Sequence, residues 1–144
     1  MDLEKELDRF YYHQTVNELR LINESGLYPG VSYTSFLYLN LIAYRKECTV
    51  SYLSKVLHVS MPAVTAKVNE LQRQGYVQKT RSEKDKRVYY LQLSSTLSRD
   101  FRVYDEPYTR AVQKVKQRYS KAEIDTFCAM LKTFSDTYQK EDKA

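Results

Sequence analysis

The sequence of 144 residues has no tryptophan, only three glycines and three prolines, and two cysteines, Cys48 and Cys128. Two cysteines are too few for a disulfide scaffold and fit a reducing compartment. Hydrophobic residues make up 42% of the chain, which is enough for a folded core and argues against disorder. No apolar run approaches the roughly 20 residues that a membrane span needs.

The sequence also lacks the usual signs of secretion and catalysis. Its N-terminal segment is acidic and amphipathic, unlike the basic and then apolar layout of a signal peptide, so we expect a cytoplasmic protein without a membrane segment. There is no glycine-rich phosphate loop and no nucleophile–base arrangement, so we do not expect an enzyme. His13, Cys48, His58 and Cys128 are too scattered to predict a metal site, and we expect no cofactor.

Positive charge is confined to one part of the chain. The net charge is +5; residues 51–90 contain eight basic and three acidic residues, and the remainder contains fifteen of each sign. A concentrated basic region is typical of a protein that binds a polyanion. On charge alone, a solvated basic surface without a partner explains the pattern equally well.

Helical spacing predicts helices at both ends of the chain. Residues 2–24 form the first, and Ser32 caps a second whose inward stripe is Tyr33, Phe36, Leu37, Leu41 and Tyr44. The chain returns to helix from about Ser95, and Pro107 should kink or divide that helix. Ser120 and Glu123 form a capping box that opens a last helix.

Residues 49–93 predict a helix, a tight turn, a second helix and a β-hairpin. Thr49 and Ser60 are the predicted caps, and His58 lies in the turn, where histidine tolerates a positive φ. Gly75 ends the second helix, whose predicted buried stripe is Met61, Val64, Val68 and Leu71. A change to period two predicts strands over residues 76–81 and 87–93, joined by a charged loop over residues 82–86.

This order of elements is a winged helix-turn-helix, in which the second helix buries one face and offers the other to the major groove of DNA. On this helix we predict DNA contacts from Ser60, Pro62, Ala63, Thr65, Ala66, Lys67, Asn69 and Arg73. Asparagine pairs with adenine, threonine bonds phosphate or touches a thymine methyl, and arginine bonds guanine or phosphate. The ordinary alternative is a plain amphipathic surface helix.

The hairpin is a second predicted DNA contact. A basic β-ribbon beside a recognition helix reaches phosphates or the adjacent minor groove. The predicted contacts are Lys79, Arg81, Lys84, Lys86 and Arg87. The alternative is a solvated hairpin that has no partner.

These residues resemble the MarR family of bacterial regulators. The resemblance runs from Thr49 to Thr65, continues through Leu71 to Val77, and includes Asp85-Lys86-Arg87 before a strand that ends at Leu93-Ser94. The Asp-x-Arg pattern of the wing is its most specific part. One departure is Ala66, because many members carry a larger polar or basic residue at that position.

The resemblance implies a homodimer held by the N- and C-terminal helices, with one winged-helix lobe in each subunit. It implies that Asp85 and Arg87 brace the wing and that the dimer binds a short inverted repeat in double-stranded DNA. It also implies a repressor whose action is relieved by a small molecule, an oxidant or a metal.

The last helix supports a dimer independently of the family, because its apolar stripe is wide and would form an exposed patch if it were unpaired. The alternative is that this stripe packs wholly within the monomer. The predicted dimer contacts are Leu3, Leu7, Phe10, Ile124, Phe127, Leu131, Phe134 and Tyr138.

Features that could sense an effector are weaker. Fourteen tyrosines are many for this length, and six of them could line a pocket for an aromatic effector, although ordinary packing explains each one better: Tyr11, Tyr12, Tyr33, Tyr44, Tyr104 and Tyr108. Cys48 follows Arg45 and Lys46, which favour a thiolate, but we expect it not to be a sensor. Cys128 lies on the apolar stripe, so we expect a buried and inert thiol.

The sequence therefore predicts a mainly α single domain, residues 1–144, with a small β-hairpin wing. Residues 33–94 form the winged helix-turn-helix DNA-binding lobe, and residues 1–30 and 95–144 form the helical dimerisation region. The predicted function is sequence-specific transcriptional regulation, as a homodimeric repressor modulated by an effector. The alternative is a winged-helix module that binds proteins and not DNA.

Overall fold

The structure is a computed structural model that describes residues 1–24, 26, 28–98 and 106–139, without the side chains of residues 96 and 98. The chain divides into two compact units, Met1–Phe101 and Arg102–Ala144. The predicted division into a DNA-binding lobe and a dimerisation region stays a prediction. The described elements are α1 (Leu3–Glu24), α2 (Tyr33–Tyr44), α3 (Val50–Leu57), α4 (Met61–Arg73), β1 (Val77–Arg81), β2 (Tyr89–Leu93), α5 (Ser95–Ser98), α6 (Glu106–Arg118) and α7 (Lys121–Tyr138). This mainly α fold with one antiparallel hairpin confirms the predicted fold class.

The helices of the first unit begin at the predicted caps. The side chains of Ser32, Thr49 and Ser60 accept hydrogen bonds from the backbone N–H three residues later, at 3.1, 3.1 and 3.3 Å. Such caps satisfy N–H groups that have no partner within the helix. His58 has φ 52° in the turn after α3, and Gly75 has φ 81° just after α4. These short-range signals therefore fix α2, α3 and α4 close to their predicted bounds.

The core of the first unit lies where α2, α3 and α4 meet the hairpin. Its fully buried side chains include Leu39, Leu53, Leu71 and Leu91, one from each of these elements. The rings of Tyr28 and Phe36 meet in a T-shaped contact, with 5.7 Å between centroids. Leu21 is the buried residue of α1, so that helix joins the core near its C-terminal end.

The hairpin pairs β1 with β2 in an antiparallel register that runs from Val77↔Leu93 to Arg81↔Tyr89. Leu91 and Leu93 point into the core, which confirms the period-two pattern, although Tyr89 is exposed. The backbone N–H of Leu91 also donates to the Cys48 carbonyl at 2.8 Å. This bridge ties the hairpin to the segment that leads into α3.

The predicted inward stripe of α2 is largely wrong. Phe36 is buried and Leu41 half-buried as expected, but Tyr33, Leu37 and Tyr44 are exposed. The buried residues beside Phe36 are Ser35, Tyr38, Leu39 and Ile42. The helix is apolar on nearly every side, so its hydrophobic spacing does not reveal the inner face, which the contacts of α2 with β2 and α1 decide.

Met61 is a second correction, because its side chain is 51% exposed instead of buried. It occupies the first turn of α4, ahead of the point where the helix reaches the core. Pro62, also in this turn, lacks an N–H that would have no helical partner in any case.

The second unit contains α6 and α7. Pro107 lies in the first turn of α6, so the structure begins a separate helix at the predicted break; residues 99–105, just before it, lie outside the described residues. Ser120 and Glu123 form the predicted capping box. The hydrogen bonds from the side chain and backbone of Ser120 lower the pKa of Glu123.

Among the described residues, none of the helices combines the length and the apolar character that crossing a lipid bilayer requires.

The revised inner face of α2 makes a direct prediction about stability. Leu39→Ala should lower the free energy of unfolding by about 3 kcal/mol, because Leu39 is fully buried and the change leaves a cavity. Tyr44→Ala, on the same helix at an 86% exposed position, should cost less than about 0.5 kcal/mol. Urea denaturation followed by circular dichroism measures both values. Equal costs for the two variants would contradict this assignment.

Candidate nucleic-acid interface

The outer face of α4 is the first part of the candidate interface. Val64, Val68 and Leu71 are fully buried on the other side of this helix. The face opposite them carries small side chains and one cation, with Pro62, Ala66 and Arg73 exposed. An α-helix with small side chains fits the major groove, which is about 12 Å wide, and lets its backbone approach closely.

Most of the predicted contact residues on α4 and its cap are exposed together, namely Ser60, Pro62, Ala63, Thr65, Ala66 and Arg73. Lys67 differs, because its side chain is only 25% exposed and its Nζ lies 2.8 Å from Glu70 Oε2. The ion pair offsets the positive charge of Lys67 on the flank of the helix. Lys67 is therefore set apart from the exposed face.

The hairpin carries the second part of the interface. Lys79, Arg81, Lys84, Lys86 and Arg87 are all exposed, as predicted. Arg81 Nε donates to the Lys86 carbonyl at 2.5 Å, and its guanidinium lies 5.8 Å from the centre of the Tyr89 ring. Within the described part of the chain, Lys84 and Lys86 have no carboxylate at ion-pairing distance. Their charges are thus available to an anion.

Asp85 and Arg87 form an ion pair at the wing tip. The Asp85 carboxylate accepts from Arg87 Nε at 3.2 Å, from its terminal nitrogen at 3.3 Å and from its backbone N–H at 3.0 Å. These bonds lower the pKa of Asp85. The pair closes the loop onto itself, although the Arg87 side chain stays largely exposed.

Two residues of the wing have roles that sequence reasoning missed. Ser82 is buried, and its Oγ accepts from the backbone N–H groups of Lys84 and Asp85 at 3.2 and 3.3 Å. A serine at the start of a polar loop is a known turn signal and could have indicated this. Lys79 Nζ donates to Asn69 Oδ1 at 2.8 Å, which joins β1 to α4. No local pattern predicts that bond, since it depends on how the hairpin packs.

Residues 30–88, which contain α4, β1 and the loop of the wing, match the model of the MarR family. This part of the chain is therefore similar to the MarR family.

Solved structures of other proteins share its fold. The chain is similar to FabT of Streptococcus pneumoniae, solved in complex with DNA, at 25% identity over 93% of this chain and 92% of that one, with a TM-score of 0.59. The regulator Tm0710 of Thermotoga maritima is 21% identical over 93% and 92% of the two chains, with a TM-score of 0.61. A mutant of MepR from a multidrug-resistant clinical isolate of S. aureus is 15% identical over 96% and 99%, with a TM-score of 0.68. Comparison with curated protein sequences gives no match.

The two cysteines reverse one expectation. Cys48 is fully buried, and burial raises its pKa to about 11 against the opposing effect of Arg45, so it is a poor nucleophile at neutral pH. Cys128 was expected to be buried and is exposed, because the side of α7 that carries it faces solvent. The described residues contain no group of three or more His, Cys, Asp and Glu side chains that could hold a metal ion.

Five of the six tyrosines that could line an effector pocket lie on the surface. Tyr11, Tyr12, Tyr33, Tyr44 and Tyr108 are exposed, and Tyr104 lies outside the described residues. Two surface cavities of about 330 and 320 Å³ lie elsewhere, one on α7 around Phe127 and one between Glu47 and the loop end of the hairpin. Neither is lined by any of these tyrosines.

The Asp85–Arg87 pair can be checked by its titration. The pKa of Asp85 is lowered from its ordinary 3.8, so the ion pair stabilises the wing above that pH. This contribution is lost as the pH falls through the pKa that Asp85 has in the folded protein. Arg87→Ala should raise the pKa of Asp85 towards 3.8, whereas Lys86→Ala, at the exposed neighbour, should leave it unchanged. NMR titration of the Asp85 carboxyl measures this. A pKa that ignores the loss of Arg87 would show that the pair does not form in solution.

Proposed function

We propose that this protein is a sequence-specific, DNA-binding transcriptional regulator. In this proposal α4 enters the major groove, and the hairpin contacts phosphates or the adjacent minor groove. FabT, solved in complex with DNA and 25% identical to this chain, supports the assignment.

The observation that carries the proposal is the outer face of α4 and its charge. The small side chains of this face let the helix fit a major groove of DNA. Arg73 at its end is exposed and has no carboxylate partner among the described residues. Lys84 and Lys86 extend the positive surface onto the wing. The confinement of the net charge to residues 51–90, together with the helix-turn-helix, favours a polyanion such as DNA over a protein partner.

We also propose that the regulator is a homodimer. The apolar stripe of α7 includes Phe127, Leu131, Phe134 and Tyr138, all exposed, and α1 exposes Leu3 and Phe10. Apolar area of this kind on a soluble chain is typical of an interface, and a second copy is the partner that we assign to it. Leu7 of α1 and Ile124 of α7 are half-buried and belong to the same proposed dimer contacts.

A two-fold dimer of this kind would bind an inverted-repeat operator, which is part of the proposal. Its two copies of α4 would lie one helical turn of DNA apart, roughly 34–36 Å. Repression, relief by an effector, and work in the cytoplasm are proposed from the family alone. An effector would act by binding one conformation of the dimer better than the other.

DNA binding is tested by fluorescence anisotropy with duplexes from upstream of the gene of this protein and with a scrambled duplex, at two salt concentrations. We expect tighter binding to the upstream duplex and weaker binding at high salt. The double variant Lys84→Ala/Lys86→Ala should weaken binding to both duplexes and reduce the salt slope by about 2, because two phosphate contacts are lost.

The matched control is Lys114→Ala/Lys116→Ala, which removes two exposed lysines from α6. It should change neither the affinity for DNA nor the salt slope. Absence of binding to any duplex at low salt would reject the regulator and favour the protein-interaction module. Equal effects of the two double variants would show that charge in general, and not the wing, drives binding.

The dimer is tested by sedimentation velocity. Leu131→Asp/Phe134→Asp should convert a dimer at micromolar concentration into a monomer, because two charges would be buried in the interface. Thr133→Asp places a charge on the opposite side of the same helix and should leave the dimer intact. A wild-type protein that sediments as a monomer would overturn the proposal.

A further inference from the structure

The bond between Asn69 and Lys79 links the helix and the wing of the candidate interface. Asn69 lies on the flank of α4 towards the hairpin and is half-buried, and Lys79 lies in β1. Lys79 Nζ donates to Asn69 Oδ1 at 2.8 Å. This bond ties an exposed cation of the wing to α4.

The bond fixes which end of the asparagine amide faces outward. An asparagine side chain has one oxygen that accepts hydrogen bonds and one NH₂ group that donates two, whereas a lysine ammonium only donates. The flipped amide would set two donors against each other at 2.8 Å, so the oxygen must face Lys79. The NH₂ group of Asn69 is therefore directed away from the ammonium.

This orientation changes what Asn69 can read in a major groove. Bidentate recognition of adenine needs an acceptor for its N6 amino group and a donor for N7. The Asn69 oxygen is bonded to a cation, which repels the adenine amino hydrogens. Guanine presents only acceptors in the major groove, N7 and O6, and these match two N–H donors next to a positive charge.

We propose that Asn69 and Lys79 act as one donor-only unit that specifies guanine, and not the adenine expected of a lone asparagine, at the base pair that faces Asn69. The proposal rests on the proposed function, because it concerns how the same interface reads DNA. A backbone phosphate is also acceptor-only, but a contact to phosphate would carry no base preference.

The test is selection of bound duplexes from a random library, followed by sequencing, with four full-length proteins. The wild type should enrich guanine at one position of each half-site. Lys79→Met keeps the length of the side chain and removes the ammonium, so it should shift the guanine-to-adenine ratio at that position about tenfold towards adenine. Asn69→Ala should flatten the preference at that position only.

Lys84→Met is the matched control, because Lys84 is an exposed wing lysine with no bond to α4. It should weaken binding to all sequences alike and leave every base preference unchanged. Retained preferences at the other positions show that each variant is folded.

The outcomes separate two kinds of failure. If the wild type enriches no sequence, the proposed function fails, and the proposal for Asn69 and Lys79 fails with it. If the wild type enriches a site but Lys79→Met and Asn69→Ala change only the overall affinity, the pair contacts phosphate and the guanine proposal is overturned. A wild-type preference for adenine that Lys79→Met does not alter would overturn it as well.

Discussion

Val64, Val68 and Leu71 lie fully buried beneath α4, and this contact fixes the direction in which the helix faces. Apolar surface is removed from water on one side only, so rotation of α4 would expose it at a cost of about 25 cal/mol for each Å². The opposite face is presented as one rigid surface. The proposed DNA contacts on this helix, from Pro62 to Arg73, depend on that single packing arrangement.

The wing depends on attachments of a different kind. A two-stranded hairpin is marginal in isolation, and this one is held to the lobe by Leu91 and Leu93 in the core and by the bridge from Leu91 to Cys48. At its tip, the loop is closed by Asp85 and Arg87 and by the buried hydroxyl of Ser82. Lys84 and Lys86 can therefore stay exposed while the loop that carries them keeps one shape.

The two terminal helices contrast with the lobe. The described residues of α7 are exposed almost throughout, including apolar side chains from Phe127 to Tyr138. Burial thus lies mainly in the part of the chain that the MarR family model matches, residues 30–88. Exposed apolar side chains on these helices support the proposal that a second copy of the chain covers them.

The sequence by itself determined the features that depend on neighbouring residues. The caps at Ser32, Thr49, Ser60 and Ser120, the positive φ of His58 and the period-two strand into Leu93 each follow from interactions over a few residues, and each was predicted. The sequence also predicted most of the exposed residues of α4, because the apolar stripe of that helix is narrow.

Only the tertiary structure decided the inner face of α2, the exposure of Met61 and Cys128, and the partner of Asn69. A helix that is apolar all round carries no directional signal, so its neighbours choose the buried side. The bond from Lys79 to Asn69 joins residues ten positions apart, and it exists because the core holds β1 against α4. Interactions between elements are set by packing, which a pattern along one element does not contain.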